Sequence, residues 1–319
     1  MKKTINMFVI LPITLAVVFF GSVGCQPNKN NTIRNLGGKI NVTAANFPPY
    51  DFVRQIAGDK VNLTMLLPPG AESHSFEPSP RDIITIQNSD IFIYGGGESE
   101  KWVNRILQSM NTDKMKILAM MDAVDVVEEE IVAGMEEEKN EEENSYDEHV
   151  WTSPRNAILL VRAIAEILCE ADSGNAAFYQ QNAAKYIEEL GRLDAEFSEL
   201  VAGARRKTIV FADRFPFRYF SNAYGLSYFA AFPGCSTETE PSAATVAFLI
   251  NKIKAEKIPV VFYIELSNER MADTISAETG AKKLLFHSCH NVSKRGFDSG
   301  ENYLGLMQGN LLNLREALY

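Results

Sequence analysis

Asn175–Ala204 reads NAAFYQQNAAKYIEELGRLDAEFSELVAGA. The stretch predicts one helix of roughly thirty residues, interrupted only by Gly191. At about 1.5 Å per residue it would run roughly 45 Å, longer than a helix inside one small domain needs. What lies on either side decides its meaning. Before it, short apolar strands alternate with helices: Lys39–Ala44, a helix to Ala57, Val61–Leu67, a helix from Ser79, Ile91–Tyr94, a helix around Trp102–Ser109, and Met115–Ala119. Ser79-Pro80-Arg81-Asp82 has the order of a helix start, with Ser at N-cap, Pro at N1 and an acid at N3. Ser153-Pro154 opens a second such helix, apolar at helical spacing from Ile158 to Leu168.

After the long helix the alternation restarts: strand Thr208–Ala212, helix Ser242–Ala255, strand Pro259–Ile264, helix Asn268–Glu278, strand Lys283–Phe286, helix Tyr303–Leu318. Such alternation implies parallel sheets covered on both faces. The expected class is α/β, two lobes of parallel-type sheet flanked by helices and joined by one long rigid helix. The lobes fall at 39–174 and 206–319, with the connector at 175–205. Gly95-Gly96-Gly97 lacks the spacing of a dinucleotide or phosphate loop, which argues against nucleotide binding.

The 319 residues carry a formal charge of −10, with 46% hydrophobic and 23% charged residues, globular values. From Asp125 to Glu148 twelve acids face one base, Lys139, so this block contributes −11 and everything else sums to +1. With no basic stripe, nucleic acid is not an expected partner. A like-charge run is ordinarily a solvated segment. The alternative is a collecting loop in which Glu136, Glu137, Glu138, Glu141, Glu142 and Glu143 concentrate cations.

Lys2 and Lys3 precede an apolar run from Met7 to Phe20, broken by Pro12, then Gly21-Ser22-Val23-Gly24-Cys25. This is the pattern of a secretory signal over residues 1–24. The small residues before Cys25 resemble a bacterial lipobox, with Ser22 where Leu is usual, so Cys25 is the expected lipidation site. Residues 25–38 then form a polar tether. Export allows disulfides. Cys169 lies in a periodic helix and reads as a core residue, which leaves Cys235 and Cys289 as the pair a bridge would join.

Only four histidines occur: His74, His149, His287 and His290. His74, His149 and His287 each fall in a loop after a strand, where ligands gather in parallel α/β sheets. Three imidazoles meeting there suit a borderline-soft divalent ion such as zinc.

Pro69-Gly70-Ala71-Glu72-Ser73-His74-Ser75-Phe76-Glu77-Pro78-Ser79-Pro80 and Asp147-Glu148-His149-Val150-Trp151-Thr152-Ser153-Pro154 resemble two ligand motifs of the zinc- and manganese-binding solute-binding proteins of metal ABC transporters. Glu98–Val103 and Glu240-Pro241-Ser242 are similar to further elements of that family. The resemblance covers Lys39 to the C-terminus. It implies one metal between two α/β lobes, a lipid-anchored monomer outside the cytoplasm, a membrane permease as partner and no enzymatic activity.

The third motif departs from the family. In Ile209–Phe220, followed by Tyr224-Gly225-Leu226, the position that normally carries a third ligand holds Arg214, which is always charged and cannot ligate. Its neighbour Asp213 would have to turn inward, or Arg214 would pair with an acid near the site. The expected ligand set is therefore His74, His149 and His287, with the fourth position open or taken by Asp213. His290 is left over, and Cys289 is an alternative soft ligand. Imidazoles favour zinc over manganese, whose sites are richer in carboxylate. A competing reading is a secreted zinc metallohydrolase with Asp213 or Glu148 as general base. A further one is a surface adhesin that keeps the metal as a structural element.

Overall fold

The computed structural model describes residues 38–135, 146–236 and 241–319. Cys25 and the six glutamates between Glu136 and Glu143 lie outside the described residues. The first sheet comprises β1 (Asn41–Ala44), β2 (Asn62–Met65), β3 (Ile91–Tyr94) and β4 (Lys116–Ala119), in the order β2-β1-β3-β4, all parallel. Its helices are α1 (Phe47–Ala57), α2 (Pro80–Gln87) and α3 (Lys101–Ser109), followed by α4 (Pro154–Ala171). The long helix is α5 (Ala176–Ala202), and Gly191 passes through it without a break.

The second sheet holds β5 (Thr208–Phe215), β6 (Ser227–Pro233), β7 (Val260–Tyr263) and β8 (Lys282–Leu285), in the order β6-β5-β7-β8 and again parallel. Its helices are α6 (Arg218–Tyr224), α7 (Ala243–Glu256), α8 (Arg270–Thr279), α9 (Lys294–Ser299) and α10 (Tyr303–Leu318). Strand β6 and helices α6 and α9 are additions to the sequence reading. Helix α6 is seven residues long and aromatic-rich, too short for a periodic signal, and β6 follows it after only Gly225 and Leu226.

The capping predicted at Ser79 is present: its Oγ accepts from the Asp82 N–H while the Asp82 carboxylate accepts from the Ser79 N–H. Each sheet obeys the strand period of two. In β5, Ile209 and Phe211 face an inner core while Val210 and Ala212 face an outer one, against Leu249 and Ile275. In β3, Ile91 and Ile93 point inward and Phe92 packs outward with Trp102 and Val103.

The inner faces of both sheets belong to one apolar cluster. Helix α5 contributes Tyr179, Ala183, Tyr186, Leu190, Leu193, Phe197 and Leu200 to it, a stripe at three- and four-residue spacing. The sheets thus share a core rather than meeting across a linker. Polar bonds stitch them as well. The Tyr303 hydroxyl donates to the Trp151 carbonyl (2.7 Å), and Trp151 Nε1 donates to the Ser288 carbonyl (2.9 Å). Asp51, fully buried in α1, accepts from Arg54 and Gln55 on one oxygen and from the Tyr303 N–H (2.7 Å) on the other.

Replacing Asp51 with Ala strands the buried Tyr303 N–H and removes a charged acceptor. The expected loss is about 2–3 kcal/mol of unfolding free energy, read as a lower urea midpoint at unchanged slope.

Candidate metal centre

The strand order in each sheet reverses direction beside its first strand, β1 in one and β5 in the other, and the loops leaving the carboxyl ends of the strands meet between the sheets. His74 follows β2, His149 lies between β4 and α4, and His290 follows β8. Their ligand atoms lie within 4.8 Å of one another. Ring centroids are 5.5 Å apart for His74–His149, 5.1 Å for His74–His290 and 5.3 Å for His149–His290. Trp151 closes the floor, its ring 4.8 Å from that of His290.

Each imidazole is held through Nδ1. His74 Nδ1 lies 2.9 Å from Glu72 Oε1, His149 Nδ1 lies 2.8 Å from Asp147 Oδ1, and His290 Nδ1 lies 3.1 Å from Ser73 Oγ. A carboxylate beside Nδ1 fixes the proton there and leaves Nε2 with its lone pair, the arrangement that orients metal-binding histidines. His74 Nε2 and His149 Nε2 are buried without a hydrogen-bond partner among the described residues, and so is Glu148 Oε1. Glu148 Oε1 stands 3.7 Å from His74 Nε2, while its Oε2 accepts from the Ser99 N–H. Unpaired buried acceptors are costly, and an ion between them would satisfy all three. The donor set, three imidazoles with one carboxylate, is that of a tetrahedral zinc site.

Glycine permits one of these placements. Gly97 has φ +86, and a side-chain carbon there would sit 2.6 Å from Glu148 Cβ. The backbone therefore comes close enough to press Glu148 toward His74.

Burial, reinforced by neighbouring His74, pushes His149 down to about 4 against the pull of Glu148. His290 is shifted down as well, by burial and by the two other imidazoles. Both rings are neutral near pH 7, as ligands must be. Burial also raises nearby acids: Glu100 to about 8, with Glu148 adding to it, and Glu129 and Asp147 to about 7. Because their folded values exceed the unfolded 4.5 for Glu and 3.8 for Asp, their contribution to stability is full below about pH 4 and is lost as pH rises through 7–8. The metal-free protein is expected to lose thermal stability between about pH 5 and 8.5, and Glu100→Gln should flatten that slope, as followed by melting across pH.

Two expected ligands are placed elsewhere. The His287 ring folds back on its own loop: Nδ1 accepts from the Cys289 N–H (2.9 Å) and lies 3.5 Å from Glu265 Oε2, and the His287 backbone N–H donates to Asn310 Oδ1. Cys289, at φ +62, turns the loop and delivers His290 in its place. Asp213 spends Oδ1 on the Arg214 N–H and Oδ2 on the Ile264 N–H, so it ties β5 to β7 and faces away from the imidazoles. The expected Cys235–Cys289 bridge is not formed; both thiols are free, and Cys289 Sγ, fully buried, points to the His287 carbonyl.

Arg214 does pair with an acid. Its Nη1 and Nη2 grip both oxygens of Glu72 at 3.2 and 3.1 Å, with Nη1 3.4 Å from His74 Nδ1. Burial opposes the Glu72 charge, yet hydrogen bonds from His74 and Arg214 outweigh it and hold the carboxyl well below its ordinary range. Residues 42–317 match the family described as "Zinc-uptake complex component A periplasmic".

The chain belongs to this ZnuA family. It is 32% identical over 287 residues to the zinc-binding lipoprotein AdcA of Streptococcus pneumoniae serotype 4, a match covering 88% of this chain and 56% of AdcA. The chain thus spans about half the length of that relative. It is 30% identical over 324 residues to the high-affinity zinc uptake system protein ZnuA of Bacillus subtilis strain 168, covering 99% of this chain and 98% of the relative. Among solved structures, the Zn(II)-bound ZnuA-like domain of S. pneumoniae AdcA superposes with a TM-score of 0.74 at 32% identity, over 88% of this chain and 99% of the other. The metal-dependent lipoprotein YcdH of B. subtilis gives 0.76 at 30% identity, over 88% and 100%.

The sequence reading left His290 out of the cluster and did not name Glu148, whose Oε1 lies 3.7 Å from His74 Nε2, as a donor beside it. His287 and His290 stand three residues apart in one loop, and their spacing alone does not choose between them. For Glu148 the signal was its place next to His149 in Asp147-Glu148-His149. Among the described residues no helix is long and apolar enough to cross a membrane.

Proposed function

We propose that the protein is the substrate-binding component of a metal ABC importer, taking up zinc outside the cytoplasm and passing it to a membrane permease. His74, His149 and His290 hold the ion through Nε2, with Glu148 as fourth donor. The observation that carries this reading is the convergence, from loops of both sheets, of three Nδ1-anchored imidazoles, two of them with buried unpartnered Nε2 atoms, beside the buried unpartnered Glu148 Oε1. Three nitrogens and one oxygen suit zinc better than manganese, and relatives with zinc in their names point the same way. The ion is cargo and no bond is made or broken. Cys25 anchors the mature monomer to the membrane, and the glutamates from Glu136 to Glu143 gather cations near His149.

The test is a zinc competition titration with a chelator of known affinity. The wild-type protein is expected to bind one zinc with sub-micromolar Kd, and zinc at a thousand times Kd to add about 4 kcal/mol of stability. Retained sub-micromolar binding in the His74→Ala/His149→Ala double variant would sink the proposal. Preference for manganese in the same titration would reassign the cargo.

A further inference from the structure

Behind His149 lies a second group of metal-ligating atoms. Glu129, from the acidic block before the cleft, Asp147, and Cys235, from the loop after β6, bring a carboxylate oxygen, a second carboxylate oxygen and a thiol sulfur within 4.8 Å of one another and of a His149 ring nitrogen; Asp147 lies on the Nδ1 side of that ring. The glutamate is seated by the backbone, since the Cys235 N–H donates to Glu129 Oε1 at 3.0 Å. Its neighbour Glu130 is docked too, paired with Arg218 at 2.7 Å and accepting from the Tyr228 hydroxyl at 3.0 Å. This end of the acidic block is therefore fixed against the second sheet.

Asp147 supplies the deciding observation. Its side chain is fully buried; Oδ1 is taken by the His149 ring and backbone N–H, while Oδ2 has no hydrogen-bond partner among the described residues. One oxygen thus serves the imidazole and the other is left as an unpaired buried acceptor within this group.

We infer that Glu129, Asp147 and Cys235 form a second site for a thiophilic divalent cation, next to the histidine cluster and sharing Asp147 with it. A zinc held at about 2.3 Å from sulfur and 2.0–2.2 Å from oxygen sets its ligand atoms about 3.5 Å apart, so side-chain rotations that close the group by about 1 Å complete the site. Binding deprotonates the Cys235 thiol, and the proton goes to solvent. Zinc has two oxygens and one sulfur here against three nitrogens in the cleft. The softer donor set is suited to a weaker, faster station from which an ion moves on to the histidines. The site goes beyond the zinc-uptake reading and stands whether or not the histidines bind.

Cobalt(II) titration of the metal-free full-length protein tests it, because a cobalt–thiolate bond gives a near-ultraviolet charge-transfer band that imidazole and carboxylate ligands do not. A first equivalent without the band and a second with it is the expected result. The band should vanish in Cys235→Ser while the first equivalent still binds, and Glu129→Gln should weaken the second equivalent roughly tenfold. No band at excess cobalt, or a band that survives in Cys235→Ser, overturns the site. If the serine variant fails to fold, protection of Cys235 from iodoacetamide by cadmium in the wild-type protein, followed by peptide mass, decides in its place: no protection overturns the site. A thiolate band without a preceding first equivalent would tell against the histidine cluster and not against this site.

Discussion

Zinc affinity is expected to fall by more than about 100-fold in His290→Ala and to change less than about fivefold in His287→Ala, since loss of even an outer-shell partner costs up to about 100-fold. The two histidines sit three residues apart and are equally buried, at 7% exposure each, so burial does not distinguish them. What separates them is where the lone pairs go. His290 gives Nδ1 to Ser73 and has its ring in the cluster, whereas His287 accepts the Cys289 N–H and sits beside Glu265. Removing His287 breaks one loop hydrogen bond, worth about 1 kcal/mol of stability, and leaves the three-histidine set intact. Competition titration of both variants, with melting curves to confirm folding, is the measurement. Equal losses in both would mean that the loop rearranges on metal binding and that His287 has a share in the site.

The contrast shows which part of such a protein is legible in its residues. Periodicity reports which face of a helix or strand is apolar, and that was enough to place seven of the eight strands among the described residues and the long helix α5. The loops after the strands were legible as loops, so His74 and His149 fell into the cleft as expected. Choosing between His287 and His290 depends on one left-handed residue, Cys289, and on the backbone bond from His287 to Asn310. Neither leaves a mark on spacing. Asp213 failed for a related reason: in β5 next to a register shift between Phe211 and Arg214, its direction is set by the partner strand and not by its own neighbours. The acidic block was legible as charge, yet its docking through Glu129 and Glu130 depends on Arg218, Tyr228 and Cys235, about ninety to a hundred residues away.

Arg214 makes the opposite kind of prediction, a gain. The Arg214 guanidinium stands 3.4 Å from His74 Nδ1; a permanent positive charge on that side of the ring repels a divalent ion held at Nε2 by several kcal/mol at an effective dielectric of about 20, and the Glu72 carboxylate offsets most of it. Replacing Arg214 with Ala removes the repulsion and frees Glu72 Oε2, while Oε1 stays on His74 Nδ1. Zinc affinity should then rise by about tenfold or more, equivalent to 1.4 kcal/mol. Glu72→Gln has the opposite sign: the guanidinium loses its counter-charge, His74 loses the carboxylate that fixes its Nδ1 proton, and affinity should fall by about tenfold or more. That variant should also be less stable, though by less than the 3–5 kcal/mol of a fully enclosed pair, because Glu72 is 42% exposed while Arg214 is 10% exposed. In the double variant the two effects should cancel in large part, and the non-additivity measures the pair itself. Lower affinity in Arg214→Ala would show instead that the guanidinium holds Glu72 and His74 in place, and that its charge is secondary. If the gain is found, the ion pair is an attenuator: it keeps a site with enough donors for very tight binding loose enough to give its ion away.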